Sequence, residues 1–226
     1  MEGVLLELAG FESPSGNVFH YSETMSVAPE KCDIFIVSES VVFKISDASI
    51  QSLTLPMAKG KVPAINVNFT GSYLSKQRGV DLSAGIVSQG NPLIPTPIQY
   101  TLDSQLYNHI LNTGMSIQQN ITWRDDRGIH NIGDTYIPKE SILTGRSIGI
   151  NATLNHTSES ITDTEPFLSD VKIYQSGITI HASNSLITPR IEVDDVFQEA
   201  HDISITNNTR NIKVEFGGLI HEQIKY

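Results

Sequence analysis

Basic side chains, cysteine and long apolar runs are all scarce in this chain of 226 residues. Lys and Arg number 15 against 25 Asp and Glu, which gives a formal net charge of -10 and a pI near 5.0. A protein that binds nucleic acid by neutralising phosphates needs a basic surface, so this balance excludes that class of binder. It does not exclude a protein that surrounds nucleic acid and repels it.

The single cysteine, Cys32, cannot form a disulfide within the chain, so nothing requires an oxidising compartment. We expect this residue to be a small core hydrophobe. No segment is apolar for long enough to cross a bilayer. The start, Met1–Leu8, has no basic region and its apolar run contains acidic residues, so we expect neither a signal peptide nor a membrane partner.

Three segments, residues 65–72, 115–123 and 147–154, alternate between apolar and polar residues. A period of two is typical of β-strands. The polar face of all three carries only Asn, Gln, Ser, Thr and Gly. A solvated sheet face ordinarily includes Lys, Glu and Arg, which keep strands soluble and apart. The pattern therefore indicates a surface that binds water without attracting a charged ligand.

Further strands are predicted on both sides of these segments. Residues 47–57 and 62–72 form a hairpin around a Lys59–Lys61 turn, although Ile50 and Leu53 share a face only if a bulge lies between them. The run Ile34–Val37 is apolar on both faces, which suits either a strand buried on both sides or a contact between subunits. Residues 4–11 alternate weakly and predict an edge strand.

One short amphipathic helix is predicted from Leu102 to Leu111. Leu102, Leu106, Ile110 and Leu111 fall on one helical stripe, and Thr101 or Asp103 can cap its start. The predicted class is therefore all-β, as a β-sandwich or part of an inter-subunit β-barrel, with one short flanking α-helix. We expect a single domain over residues 1–226, with long loops at about 75–100 and 124–146 that are functional.

The chemical motifs favour no enzyme. Gly145–Gly149 matches the G-x-S-x-G nucleophile elbow, but Ser147 begins an alternating segment instead of standing between a strand and a helix. The seven histidines are scattered, and the pairs Asp125–Asp126 and Asp194–Asp195 lie outside any calcium-loop pattern. We therefore predict no catalytic residue, no metal site and no cofactor.

The central stretch resembles the tail tube proteins of long-tailed bacteriophages. The resemblance is carried by Ser116–Trp123, by Thr144–Gly149 leading into a β-strand, and by the hairpin segments Asp47–Leu53 and Ala64–Ser72. It covers roughly residues 47–154. It implies a structural protein of the virion tail, assembled in the host bacterial cytoplasm as hexameric rings that stack into a tube. Such a tube contacts sheath, baseplate or terminator proteins and conducts double-stranded DNA during ejection without binding it specifically.

On this interpretation the polar strand faces line the lumen, and the apolar faces form a core beneath the predicted helix. The predicted lumen residues are Asn66, Asn68, Thr70, Gln118, Asn120, Thr122, Asn151 and Thr153. The predicted core residues are Ile65, Val67, Phe69, Ile117, Ile121, Trp123, Ile148 and Ile150.

A second interpretation is a β-sandwich binding module of a virion or cell surface, such as a decoration, baseplate or adhesin domain. It would present its long loops to a partner and keep its polar strand faces in solvent. A serine hydrolase ranks third, because it depends on Ser147 alone.

Overall fold

The structure is a computed structural model. It describes residues 2–15, 18–21, 28–38, 41–58, 64–77, 98–102, 105–107, 110–124, 138, 140–157, 173–174, 178–182, 190–193, 196–206, 209–217 and 221–222. Strands dominate this part of the chain, which confirms the predicted all-β class. In chain order the elements are α1 (Glu2–Leu8), β1 (Phe11–Ser15), β2 (Val18–Tyr21), β3 (Cys32–Ser38), β4 (Val41–Ala58), β5 (Asn66–Thr70), β6 (Tyr73–Gln77), β7 (Ile98–Leu102), β8 (Gln105–Tyr107), β9 (Ile110–Trp123), β10 (Ser141–His156), β11 (Ile173–Tyr174), β12 (Ile178–Ala182), β13 (Arg190–Val193), β14 (Val196–Thr206), β15 (Thr209–Gly217) and β16 (His221–Glu222).

The strands form two sheets. The small sheet has six strands in the order β1-β2-β13-β12-β7-β8, and the large sheet has ten, with the main order β11-β14-β15-β10-β9-β4-β3. In the large sheet, β5 and β6 pair with β4, and β16 pairs with β10. Neighbouring strands are antiparallel except for β13 and β2, which are parallel.

Both sheets and α1 contribute to one hydrophobic core. The large sheet supplies fully buried side chains such as Ile50, Met115 and Ile117, while the small sheet supplies Phe19 and Ile191. Burying a side chain of this size contributes about 1.5 to 3 kcal/mol. Of the eight predicted core residues, Ile117, Ile148 and Ile150 are buried, Ile65, Val67 and Phe69 pack at the margin of this core, and Ile121 and Trp123 are half-buried.

The predicted helix from Leu102 to Leu111 is wrong. This region contains β7, β8 and the start of β9, and β7 pairs with β8 through Leu102 opposite Gln105. Only two residues, Asp103 and Ser104, connect these strands. Asp and Ser favour helix caps and tight turns for the same reason, because their side chains bond nearby backbone amides. Burial agrees with the strands, since Tyr107 is buried and Leu106 is exposed.

The flanking helix is instead α1, where we predicted an edge strand. Leu5, Leu6, Leu8 and Ala9 follow helical spacing, and Leu6 and Ala9 are buried. The helix ends at Leu8, and two residues later Gly10 has a φ of 92°, which is accessible to glycine but strained for other residues.

The 18-residue strand β4 changes partners at Asp47. Its first part pairs with β3 and β6, and its second part pairs with β9 and β5. Asp47 has a positive φ of 51°. The predicted bulge is confirmed between Ile50 and Ser52, and it turns Ile50 and Leu53 to the same buried side. The predicted hairpin pairing of residues 47–57 with 62–72 is also confirmed, although its Lys59–Lys61 turn lies outside the described residues.

Strands occupy parts of both stretches that we predicted as long loops. Strand β6 extends to Gln77 and β7 begins at Ile98, so only residues 78–97 lie between them, outside the described part of the chain. The second loop ends before Ser141, because β10 begins there. Residues 125–137, which include Asp125 and Asp126, are also outside the described part.

A buried arginine connects the two sheets. Arg146 on β10 is only 5% exposed and stands opposite the buried Gln119 of β9 on the core face. Its Nη1 donates a hydrogen bond to the Gly10 carbonyl oxygen at 2.9 Å, and its guanidinium lies 4.6 Å from the centre of the Tyr21 ring. Burial raises the pKa of Tyr21, and the charge and hydrogen bonding of Arg146 oppose that rise. The contact holds the large sheet against the junction of α1 and β1.

We expect Gly10→Ala to destabilise the protein by roughly 2 to 4 kcal/mol. A Cβ at residue 10 would overlap the Arg146 guanidinium, and a non-glycine residue would be strained at this φ. Urea unfolding followed by circular dichroism measures the change. Gly149→Ala is the matched control: its added Cβ meets the movable Ser116 hydroxyl at 3.1 Å, so it should change stability by less than about 1 kcal/mol. Equal losses in the two variants would contradict the role given to Gly10.

Candidate functional site

A continuous uncharged face crosses four neighbouring strands of the large sheet. Residues that stand opposite one another in antiparallel strands point to the same side of a sheet. One such row joins Asn68, Ser52, Gln118 and Ser147 from β5, β4, β9 and β10. The next row joins Asn66, Thr54, Ser116 and Gly149. We call this surface the polar face.

The structure places the predicted lumen residues on or beside the polar face. Asn66, Asn68, Gln118, Asn120, Thr122 and Asn151 are exposed, and Thr153 is half-buried. Asn151 stands opposite Gly114, and Thr153 stands opposite Asn112. Thr70 differs from the other residues, because it is half-buried at the end of β5 and accepts a hydrogen bond from Trp123.

Sequence reasoning missed the contribution of β4 to this face. Ser52, Thr54, Pro56 and Ala58 lie opposite residues of β9 that point to the polar face. The alternation in residues 47–57 did not show which side chains face the core, so these four residues could not be assigned to a face. The bulge after Ile50 supplies the phase of this alternation, so placing Ile50 and Leu53 together in the core would have assigned these residues outward.

No charged residue occupies the polar face on β5, the second part of β4, β9 or β10 within the described residues. Charged positions border it on the next two strands, where Asn151 stands opposite Glu215, and Thr153 opposite Lys213, which in turn stands opposite Asp202. The exposed ion pair of Arg124 and Glu140, at 3.0 Å, lies just beyond the adjoining ends of β9 and β10. The uncharged surface is therefore bordered along β15 and β14 by positions of both signs, with two acidic and one basic.

Short side chains keep the polar face smooth. The Asn68 Nδ2 donates to the Ser52 Oγ at 2.7 Å across the β4–β5 pair. The Asn151 amide lies against Gly114, where an added Cβ would approach it to 3.2 Å. Where Pro56 stands opposite Gly114 the surface opens into a depression of about 420 Å³. Amide and hydroxyl groups on such a surface can hydrogen-bond water without fixing a charge.

A polar corner bounds one end of this face. The Trp123 Nε1 donates to the Thr70 Oγ1 at 3.3 Å, and the Lys31 ammonium lies 5.6 Å from the centre of the Trp123 ring. Nearby, Lys44 and Asp33 form an ion pair at 2.8 Å. The hydrogen bond from Lys44 lowers the pKa of Asp33. Because Trp123 contacts both β5 and the residue before β3, this corner ties together three parts of the large sheet.

Cys32 is half-buried at the start of β3, outside the core in which we expected it. Burial raises the pKa of its thiol, and the negative charge of Asp33 raises it further. A thiol with a raised pKa carries little thiolate at neutral pH and is a weak nucleophile.

The serine motif has no elbow geometry. Gly145–Gly149 lies inside β10, with Ser147 half-buried on the polar face and Arg146 buried on the other side. Among the described residues there is no group of three or more His, Cys, Asp or Glu that could hold a metal ion. No helix in the described part of the chain has the length and apolar character needed to cross a membrane.

Comparison with known proteins identifies the family. The model of the bacteriophage baseplate tube protein family matches residues 1–221. The chain belongs to this family. It is also 20% identical over 229 residues to the baseplate tube protein p140 of Escherichia phage T5, covering 96% of this chain and 74% of that protein.

Membership in the baseplate tube protein family confirms the broader part of the sequence-based interpretation and refines the rest. The chain is a structural protein of a phage tail or baseplate tube. The family model supports the resemblance as far as a phage tail or baseplate tube protein, and it assigns the chain to the baseplate tube proteins, not specifically to the major tail tube proteins. This role is structural and assigns no catalytic function to the serine motif, and Gly145–Gly149 is a part of strand β10.

We expect Trp123→Phe to destabilise the chain by about 0.5 to 1.5 kcal/mol, because it removes the indole donor to Thr70 and keeps an aromatic ring over Lys31. Urea unfolding should be followed by circular dichroism, because the substitution removes the single tryptophan of the chain and with it the tryptophan fluorescence signal.

A double-mutant cycle with Thr70→Val isolates that hydrogen bond. We expect the two substitutions together to cost less than the sum of their separate effects. Strict additivity would show that the contact contributes nothing to stability.

Proposed function

We propose that this baseplate tube protein assembles into rings that stack into a section of the phage tube, with the polar face lining the lumen. One observation carries the proposal: a chain with a net charge of -10 has, in its described part, an uncharged face that crosses β5, the second part of β4, β9 and β10. On a surface exposed to bulk solvent, charged side chains along these strands would keep the protein soluble and prevent strand association. Inside a channel, basic side chains would hold the DNA that passes through.

The chemistry of this face suits the passage of double-stranded DNA. Lysine or arginine in the lumen would neutralise phosphates and release their counterions, which is how proteins hold a duplex. Amides and hydroxyls bind water instead, and the acidic remainder of the chain repels phosphate over about 10 Å at ordinary salt. Such a wall lets a duplex pass without holding it.

Closing a ring would also give a partner to strand edges that lack one in the single chain. Among the described strands, β5 pairs only with β4, and the outer edge of β14 is covered only where the two-residue strand β11 pairs with it. Strand edges that lack a partner tend to associate with other chains. Pairing the outer edge of β5 in one copy with the outer edge of β14 in the next would satisfy both and extend the large sheet around a barrel.

The resemblance to tail tube proteins supplies the remaining parts of the proposal. It suggests six copies in each ring, contacts with other tail or baseplate proteins at the ends of the tube, and assembly in the host cytoplasm before the virion is released. The residues proposed to line the lumen are those of the polar face, including Asn66, Asn68, Gln118, Asn120, Thr122, Asn151 and Thr153, with Thr70 at its rim.

The purified chain should form rings or short tubes in negative-stain images, with a stain-filled hole on the axis. Gln118→Cys in a Cys32→Ser background then locates the polar face. A maleimide-linked gold cluster added after assembly should appear on the tube axis, because Gln118 is exposed on the polar face. The copies in each ring can be counted on the same images.

Leu106→Cys in the same background is the control, since Leu106 is 44% exposed and lies on β8 of the small sheet. Its gold label should lie away from the axis. Gold from residue 118 on the outer wall would overturn the lumen assignment. Discrete monomers at all concentrations would overturn ring assembly and favour the binding-module interpretation.

A further inference from the structure

Three strand segments form a ribbon on the N-terminal side of Asp47, where β4 changes partners. We define the ribbon as β3, residues 41–46 of β4, and β6, with β4 in the middle. One of its faces carries the rows Ile34, Ile45, Leu74 and Ile36, Phe43, Lys76, by register. The other face carries the rows Phe35, Lys44, Ser75 and Val37, Val42, Gln77.

The ribbon exposes large apolar side chains on both faces. The exposed fractions are 42% for Phe35, 50% for Ile36, 59% for Val37, 43% for Tyr73 and 60% for Leu74. Single exposed apolar residues are common, but adjacent ones on one element mark an interaction surface. Of the two explanations for the apolar run Ile34–Val37, burial within the chain is excluded by these exposures. Contact with another chain is the explanation that stands.

The base of the ribbon is fixed, so docking would require little ordering. The Asp47 amide donates to the Asp33 Oδ1 at 3.4 Å, and the Ser72 Oγ donates to the Asp47 Oδ2 at 3.0 Å. Asp33 also pairs with Lys44 at 2.8 Å. These contacts connect β3, β4 and the residue before β6 at the base of the ribbon. A surface held in its bound shape loses less conformational entropy on binding.

We propose that the ribbon docks on a second copy of this chain; this inference rests on the ring assembly proposed above. Continuity favours that occupant, because β4 runs without interruption from the proposed lumen wall into the ribbon. Charge favours it too. The ribbon carries Asp33, Lys44 and Lys76, a sum of +1, whereas the whole chain is -10, so the remainder of each copy is -11. An apolar, slightly basic ribbon is therefore complementary to an acidic neighbour.

The test pairs an association assay with a crosslink. Ile36→Ser with Leu74→Ser removes two exposed apolar side chains from one face of the ribbon, and both positions are open enough to tolerate serine. We expect the concentration needed for assembly in sedimentation velocity to rise at least about tenfold. Val4→Ser with Leu106→Ser is the matched control, because these residues are 58% and 44% exposed and lie outside the ribbon. The control should assemble like the unmodified chain.

A benzophenone amino acid at position 36 reports the partner directly. On irradiation of the assembled chain it should form a covalent dimer, and the same amino acid at position 4 should form much less. Unchanged assembly of the serine variant, or no dimer from position 36 within rings, would overturn the docking proposal while leaving ring assembly intact. A dimer from position 36 without any rings would support docking and overturn the ring. Crosslinking only after another tail protein is added would identify that protein as the occupant and overturn the second copy.

Discussion

The buried Arg146 guanidinium is the constraint on which the orientation of the large sheet depends. It reaches the Gly10 carbonyl oxygen only when residue 146 faces the core, and a guanidinium buried without an acceptor would cost several kcal/mol. Side chains alternate along a strand, so an inward Arg146 fixes Ser147 outward, and a slip of one residue would reverse every side chain on β10. This charged contact therefore requires the same orientation of β10 as the burial of Ile148 and Ile150, with the uncharged face turned outward.

The large sheet presents two surfaces of different chemistry, the polar face and the ribbon. The polar face is hydrophilic but carries no charge, and the ribbon is apolar yet lies outside the core. Neither is what an isolated β-domain needs, because charge on strand edges normally prevents association and exposed apolar strands promote it. The proposed tube has the opposite requirement, since in it each chain would meet its neighbours through strands and would line the channel with uncharged groups.

Period-two alternation predicted the strands around Gln118 and Asn151 because neighbouring side chains there differ sharply in polarity. The same reasoning failed where one residue type serves two structures: Asp103 is as suitable between the strands of a hairpin as at a helix cap. The sequence showed that a bulge must lie between Ile50 and Leu53 if both face the core, but it did not show that Gln51 is the bulged residue. The inward direction of Arg146 had no local signal, because its acceptor lies 136 residues away in the chain.

The undivided strand β4 would give the proposed assembly a mechanical property. Its backbone belongs both to the ribbon and to the proposed channel wall, with no hinge segment between them. A load applied to the ribbon along the strand axis would be carried by the covalent chain and then shared among the ladder bonds to β5 and β9 at once. Bonds loaded together in shear resist far more force than bonds peeled one after another. In the proposed assembly, the continuous backbone through Asp47 would therefore join the docking ribbon to a channel wall that resists stretching.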